Sequence, residues 1–203
     1  MGANAQTSVP LFVANTVLTA ATQNISAATG IPVFATTVTR DAAFGGSNKV
    51  LAEGQFCYLE STNALQYYDG SAWFGVGAQI SGATVATSQT TTSTSYTDLA
   101  TSGPAVTLTT GTTAFVIVTT YSYNATSGAA TYMSFGVSGA TTIAAGDSTS
   151  VSLLGMKTGG QEWSNSAVYP VTLTAGSNTF TSKYKTSSGT GTFANRSIIV
   201  IAP

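Results

Sequence analysis

The chain has 203 residues with six Lys and Arg, seven Asp and Glu, no histidine and a net charge of −1. So few basic groups cannot build the stripe of phosphate contacts that nucleic-acid binding requires, and a chain without histidine has no Ser-His-Asp or Cys-His nucleophile and no histidine-ligated metal site. Ionic residues make up 6% of the chain, against roughly 25% in an average soluble domain, while hydrophobic residues reach 43%; the chain can fill a core but carries little charge to keep copies apart.

Met1–Val13 reads as an extended arm ending in Val9-Pro10-Leu11-Phe12-Val13, where Pro10 holds its predecessor out of helical geometry. Met1–Ala20 has no Lys or Arg to form a basic leader segment, so no secretory signal is expected. Thr16–Thr29 places Val17, Leu18, Ala21 and Ile25 at helical spacing with Gly30 as a stop, which predicts a short helix. Ile31-Pro32-Val33-Phe34 begins an extended segment, and Arg40-Asp41-Ala42-Ala43 reads as a single helical turn before Gly45-Gly46.

Gln55–Glu60 and Leu65–Tyr68 are aromatic-rich runs separated by Ser61-Thr62-Asn63-Ala64, the pattern of a hairpin. Asp69-Gly70 supplies a second tight turn and Ala72-Trp73-Phe74 a third strand, so residues 55–76 should form a three-stranded meander. Its rings (Tyr58, Tyr67, Tyr68, Trp73 and Phe74) are too many for so small a sheet to bury alone; they belong to a core or to contact with a neighbouring subunit. Cys57, between Phe56 and Tyr58, reads as a small core or interface thiol.

The Ser/Thr-rich stretch 81–95 reads as a connector between an N-terminal module, residues 1–80, and a C-terminal domain, residues 96–203. From Tyr96 onward the strand period of two dominates: Val106 and Leu108, then Met133, Phe135 and Val137, then Tyr169, Val171 and Leu173, then Phe180 and Tyr184 all alternate with small or polar residues. Ala114–Val118 and Ile198–Ile201 are apolar at every position, so they should lie mid-sheet or turn one face into a subunit interface. Seven or eight short strands separated by Gly-marked turns predict an antiparallel sandwich, most simply a jelly roll. The expected fold class is all-β: an extended arm, a short helix and a small β-meander, followed by that jelly-roll-like β-sandwich. Its edge strands carry little charge or proline to block pairing, and trimer formation around a three-fold axis would cover them.

No chemistry stands out. There is no phosphate loop and no dinucleotide fingerprint. Asp147 and Glu162 could in principle serve as a glycosidase pair, but each of the acids has an ordinary turn, helix or strand-end role. Catalytic, cofactor and metal residues are therefore expected to be none, and no apolar run approaches the ~18 residues of a membrane span. Trp163, near Tyr169, is either a sugar-stacking platform or a cap on the sandwich core or an interface. The candidate subunit or ligand contacts are Phe12, Tyr67, Tyr68, Trp73, Trp163 and Tyr169.

Two stretches carry a family resemblance. Val13-Ala14-Asn15-Thr16-Val17-Leu18-Thr19-Ala20, Arg40-Asp41-Ala42, Gly54-Gln55-Phe56-Cys57-Tyr58-Leu59 and Leu65-Gln66-Tyr67-Tyr68-Asp69-Gly70-Ser71-Ala72-Trp73 resemble the N-terminal module of tailed-phage minor tail, fibre and head-surface proteins. Leu173-Thr174-Ala175-Gly176-Ser177-Asn178-Thr179-Phe180, Tyr184, Gly189, Phe193-Ala194-Asn195-Arg196 and Ile198–Ala202 are similar to the closing strands of β-sandwich domains on the same kind of protein. The resemblance implies a non-enzymatic virion subunit, made in the host cytoplasm and displayed on the particle surface. It implies a homotrimer held to other virion proteins through residues 1–80, with the sandwich outward, as a tail-fibre or receptor-contacting subunit or a capsid decoration protein. A host-surface glycan or receptor is a further expected partner. The alternatives are a carbohydrate-binding module or another surface-assembly protein.

Overall fold

The computed structural model describes residues 17, 30–44, 51–154 and 162–203. The predicted arm with Phe12, and the helix predicted over 16–29 apart from Val17, lie outside the described residues. The chain divides into two compact units, Met1–Gly77 and Ala78–Pro203.

The first unit is a four-stranded sheet and one helix. β1 (Val33–Phe34) lies parallel to β2 (Phe56–Leu59), which continues antiparallel through β3 (Ala64–Tyr68) to β4 (Trp73–Gly75). The expected meander is present, with β1 added at its edge. α1 (Thr37–Phe44) is two turns long rather than the one expected. The reason lies just upstream: Thr36 and Thr39 cap it reciprocally, the Thr39 N–H donating to Thr36 Oγ1 (3.3 Å) and the Thr36 N–H to Thr39 Oγ1 (3.0 Å). The Asp69-Gly70 turn forms as read: Asp69 Oδ1 accepts from the Ser71 and Ala72 N–H groups (2.8 and 2.7 Å), and Gly70 adopts a φ of 98°. Phe34, Ala43, Phe44, Cys57 and Leu59 make the core, with Leu51 and Trp73 packed on it.

The second unit is a two-sheet sandwich. Its strands are β5 (Gln79–Val85), β6 (Gln89–Thr91), β7 (Ala105–Thr110), β8 (Thr113–Asn124), β9 (Thr131–Gly139), β10 (Val151–Leu153), β11 (Trp163–Thr172), β12 (Gly176–Thr186) and β13 (Gly191–Ala202). One sheet has the order β10-β9-β12-β7 and the other β11-β8-β13-β5, with β6 extending the β5 edge along β13. Nearly every connection from β7 onward crosses between the sheets, and all pairings are antiparallel, which is the jelly-roll arrangement the alternating runs predicted.

Two expectations need correction. Residues 81–95 are not simply a connector: β5 and β6 fall in this region and pair with β13. Their half-buried positions are Gln79, Ser81, Ala83 and Val85 in β5 and Gln89 and Thr91 in β6, where Val85 alone is a sizeable apolar side chain, so hydrophobic alternation does not mark either strand. Several strands are also long rather than short, β8 and β13 reaching 12 residues each.

The core between the sheets is built from Val106, Val116, Val118, Met133, Phe135, Val137, Phe180, Tyr184, Phe193, Ile198 and Val200, together with Leu99, Ala114, Val151, Val171 and Leu173. Burying each large apolar side chain contributes roughly 1.5–3 kcal/mol. Polar networks close it at both ends of β12: Asn178 Nδ2 donates to Thr110 Oγ1 (2.8 Å) and Asn124 Nδ2 to Thr186 Oγ1 (2.7 Å).

Candidate assembly surfaces

The two outer faces of the sandwich differ in chemistry. Outward positions of β12 carry Lys183 and Lys185. Lys185 Nζ sits 2.6 Å from Asp147 Oδ1 and lies over the rings of both Tyr96 (4.9 Å) and Tyr132 (4.7 Å). The Tyr96 hydroxyl donates to the same Asp147 oxygen (2.9 Å). Lys185 and then Tyr96 hold the Asp147 carboxyl below its usual range, and burial, above all, pushes the Tyr96 hydroxyl upward. Beside this cluster Lys183 pairs with Asp98 (2.7 Å) at the rim of a groove of about 500 Å³ whose walls include Thr97, Thr181, Ile143 and Ala144. These ionic groups therefore satisfy one another, tying the segment at Tyr96–Asp98 and the loop at Asp147 to the sheet.

The sheet β11-β8-β13-β5 is of another kind. Its strands, β6 included, hold one ionic residue, Arg196, and that residue is fully buried. Cross-strand register aligns Val168, Ile117, Ile199 and Gly82 in one outward row, and Pro170, Phe115, Ile201 and Ile80 in the next. Of these, Ile80 is 67% exposed, Val168 57%, Phe115 43% and Ile199 37%. The runs that are apolar at every position are thus the two inner strands, with one side in the core and the other side uncovered in the single chain.

In the first unit Phe56, Tyr67 and Phe74 stand in cross-strand register with ring centroids 6.4 and 6.1 Å apart, and Phe56 and Tyr67 are exposed. Tyr68 packs on Trp73 (5.6 Å), and Trp73 lies against Phe44 (5.4 Å) and beneath the Arg40 guanidinium (4.8 Å). Arg40 in turn pairs with Asp41 (2.7 Å) and donates to Gln66. Of the aromatic stripe expected in the meander, Tyr67 is at the surface, while Tyr68 and Trp73 are half-buried around the helix. Cys57 is fully buried, and burial pushes its thiol up to about 11.

Trp163 and Tyr169 do not form one platform. Both are on β11, but Tyr169 turns toward the core, packs on Phe135 (6.4 Å) and donates its hydroxyl to the Ser150 carbonyl (2.5 Å), whereas Trp163 is exposed at the strand's start. Asp147 and Glu162 are not a pair either: Asp147 belongs to the Lys185 cluster, and Glu162 accepts from the Tyr121 hydroxyl on the other sheet. Among the described residues no group of three or more Cys, Asp or Glu is placed to hold a metal ion, and no helix is long and apolar enough to cross a membrane. The aliphatic rows of the uncharged sheet and the buried Arg196 were not picked out residue by residue from the sequence; the doubly apolar runs were the available signal for the first, and the second had none.

The strand order defines a jelly-roll sandwich with one lysine-bearing outer face and one whose strands present no ionic side chain, the Glu162 carboxylate lying at its Tyr121 end. Solved structures with a similar arrangement include infectious bursal disease virus, Gx strain (TM-score 0.48, 11% identity, covering 68% of this chain and 38% of that one). Another is the VP2 subviral particle of infectious bursal disease virus (TM-score 0.47, 12% identity, 73% of this chain and 38% of that one). A third is the Eiger TNF of S. frugiperda (TM-score 0.44, 9% identity, 63% of this chain and 94% of that one). The chain spans little more than a third of the two viral chains' length. No family model and no curated protein matches the sequence.

Proposed function

We propose that this chain is a non-enzymatic structural subunit of a tailed-phage particle, present in many copies as a homotrimer. Its N-terminal unit is fixed to other virion proteins, and its sandwich faces outward as a receptor-contacting fibre subunit or a capsid decoration protein. The observation that carries this reading is the placement of large apolar side chains on the outer faces of sheets in both units: Phe56 and Tyr67 in the first, Ile80, Phe115, Val168 and Ile199 in the second. An antiparallel sheet with one face in water normally presents polar residues there, and contiguous uncovered apolar surface marks a site of association. With ionic residues at 6% of the sequence, little else keeps such faces apart. The family resemblance supplies the phage setting. A free carbohydrate-binding module is less well supported, because Tyr169 is turned inward and leaves Trp163 without its expected partner ring.

Quantitative electrophoresis of purified particles tests this. The chain should be a stoichiometric component, with a copy number set by capsid lattice points for a decoration protein or by the few tail positions for a fibre. Purified particles that lack the chain would overturn the reading.

A further inference from the structure

The two sheets of the sandwich place their charge unequally. Lys183, Lys185, Asp98 and Asp147 cluster on the outer side of β10-β9-β12-β7. The strands of the opposite sheet contribute no ionic side chain to their outer side, because Arg196 is buried, and the carboxylate at that side is Glu162, just before β11, which accepts from Tyr121. We propose that the outer face of the β11-β8-β13-β5 sheet is the surface on which a second copy of this chain packs, with the lysine-bearing sheet left toward solvent. The proposal rests on the structural-subunit reading and assigns its self-association to one face.

Three features select a second copy as the occupant. The first is area. At a rise of about 3.3 Å per residue and a spacing of about 4.8 Å between strands, the sheet offers on the order of 700 Å² of flat surface, close to the ~800 Å² per partner of a standard interface. The apolar rows alone are too small for that, so the occupant must also cover the hydroxyl-bearing rows beside them.

The second is the scarcity of charge. A partner of different composition would normally be selected by complementary charge, and among the described residues this face offers only the Glu162 carboxylate, which accepts from the Tyr121 hydroxyl at one end of the sheet. A second copy, itself poor in ionic residues, can approach it with little charge repulsion. The row beside the apolar ones holds Thr84, Ser197, Thr119 and Ser166, the last two already joined at 2.9 Å, and the row beyond it holds Ser164 and Tyr121. Hydroxyls both donate and accept, so such a band can satisfy Ser and Thr side chains on a different surface of a second copy, as a contact around a three-fold axis requires.

The third is flatness. A Cβ at Gly82 would lie 3.2 Å from Ile199 Cγ1, so the glycine leaves room for Ile199 to spread toward β5. The row from Val168 to Gly82 then has no projecting side chain at its β5 end.

Sedimentation velocity of the full chain tests the proposal, using wild type, Ile199→Lys, Thr84→Lys and Thr109→Lys. Thr84 and Thr109 are both exposed strand positions that a monomer tolerates changing, one on each sheet. Wild type and Thr109→Lys should sediment as a multiple of the 20.5 kDa chain, and Ile199→Lys and Thr84→Lys should lose at least half of that mass with an unchanged circular dichroism spectrum. If Ile199→Lys fails to fold, Thr84→Lys decides. Oligomers that survive both changes would overturn the face assignment while leaving the particle count, and with it the structural-subunit reading, intact. A wild-type chain that sediments as single copies would overturn the second copy as occupant, whatever the particle count returns.

Discussion

The Arg196 guanidinium lies 5.2 Å from the ring centroid of Tyr184 inside the sandwich, turning the one ionic side chain of the uncharged sheet's strands into the core. A bulge in β13 between Ala194 and Ser197, with Asn195 at φ 46°, aims it there. Its Nη2 donates to the Thr87 carbonyl (3.3 Å) and Gln89 Oε1 (3.1 Å), and its Nη1 to the Thr101 carbonyl (3.5 Å). Arg196 therefore fastens the segment from Thr87 to Thr101 onto β13. Arg196→Met keeps much of the stem's packing but leaves those oxygens without their donor, and should cost about 2 kcal/mol. Urea unfolding measures the loss, and amide exchange should show 87–101 losing protection before the inner strands. Unchanged protection there would rule out this role.

The Lys185, Tyr96 and Asp147 cluster predicts an acid-sensitive clamp. Asp147 has its folded pKa lowered, by Lys185 foremost, so its contribution is present above the usual carboxylate range and is lost as pH falls through the lowered value. Asp147→Asn should therefore melt below wild type at neutral pH, and the two curves should converge in strong acid. A difference independent of pH would mean that the charge is not what holds the loop.

At the alkaline end Tyr184 acts with the opposite sign. Burial raises its hydroxyl from 10.0 to about 12, with the Arg196 charge working against burial. A raised folded value means a contribution that is complete below pH 10.0 and is lost as pH climbs to about 12. Tyr184→Phe removes this titration but also the bond to the Gly103 carbonyl (2.8 Å). It should be less stable at neutral pH and should unfold less steeply in that alkaline window, read by fluorescence.

Gly139 closes β9 at φ 109°, and a Cβ there would lie 2.3 Å from the Ser177 carbonyl oxygen, with no flexible side chain to yield. Gly139→Ala should cost on the order of 2–3 kcal/mol, against a few tenths at an ordinary exposed strand position. Thermal denaturation checks this directly.

Cys57 is fully buried with its thiol raised to about 11 by loss of hydration, so the thiolate is scarce at mildly alkaline pH. Its reaction with a thiol reagent should follow unfolding of the first unit, with the rate in native buffer many-fold below that in denaturant. Equal rates would place it at the surface.

The sandwich was legible where large residues alternate with small ones, as in Phe180 and Tyr184 against Lys183 and Lys185, because the period of two is then visible along a single strand. β8 and β13 were legible as inner strands for the opposite reason, having apolar side chains on both faces. β5 escaped notice because three of its four inward side chains are Gln79, Ser81 and Ala83, which bury little and leave Val85 without a period to belong to. The direction of Tyr169 depends on which sheet lies under β11, a long-range fact absent from its neighbours in sequence. The burial of Arg196 depends on a bulge that shifts the face on which one residue falls. The charged clamp joins residues from three separated segments, so only the folded chain brings them together.

If neighbouring copies cover the uncharged sheet, radical footprinting of the unmodified full chain in solution will register the cover side chain by side chain. Phe115, Val168 and Ile80 are exposed in the single chain, as is Leu154 just beyond β10 of the opposite sheet. Leu154 should take up label freely while Phe115, Val168 and Ile80 are protected several-fold. Labelling of all four in proportion to their exposure in the single chain would mean that the sheet is bare and that no second copy packs on it.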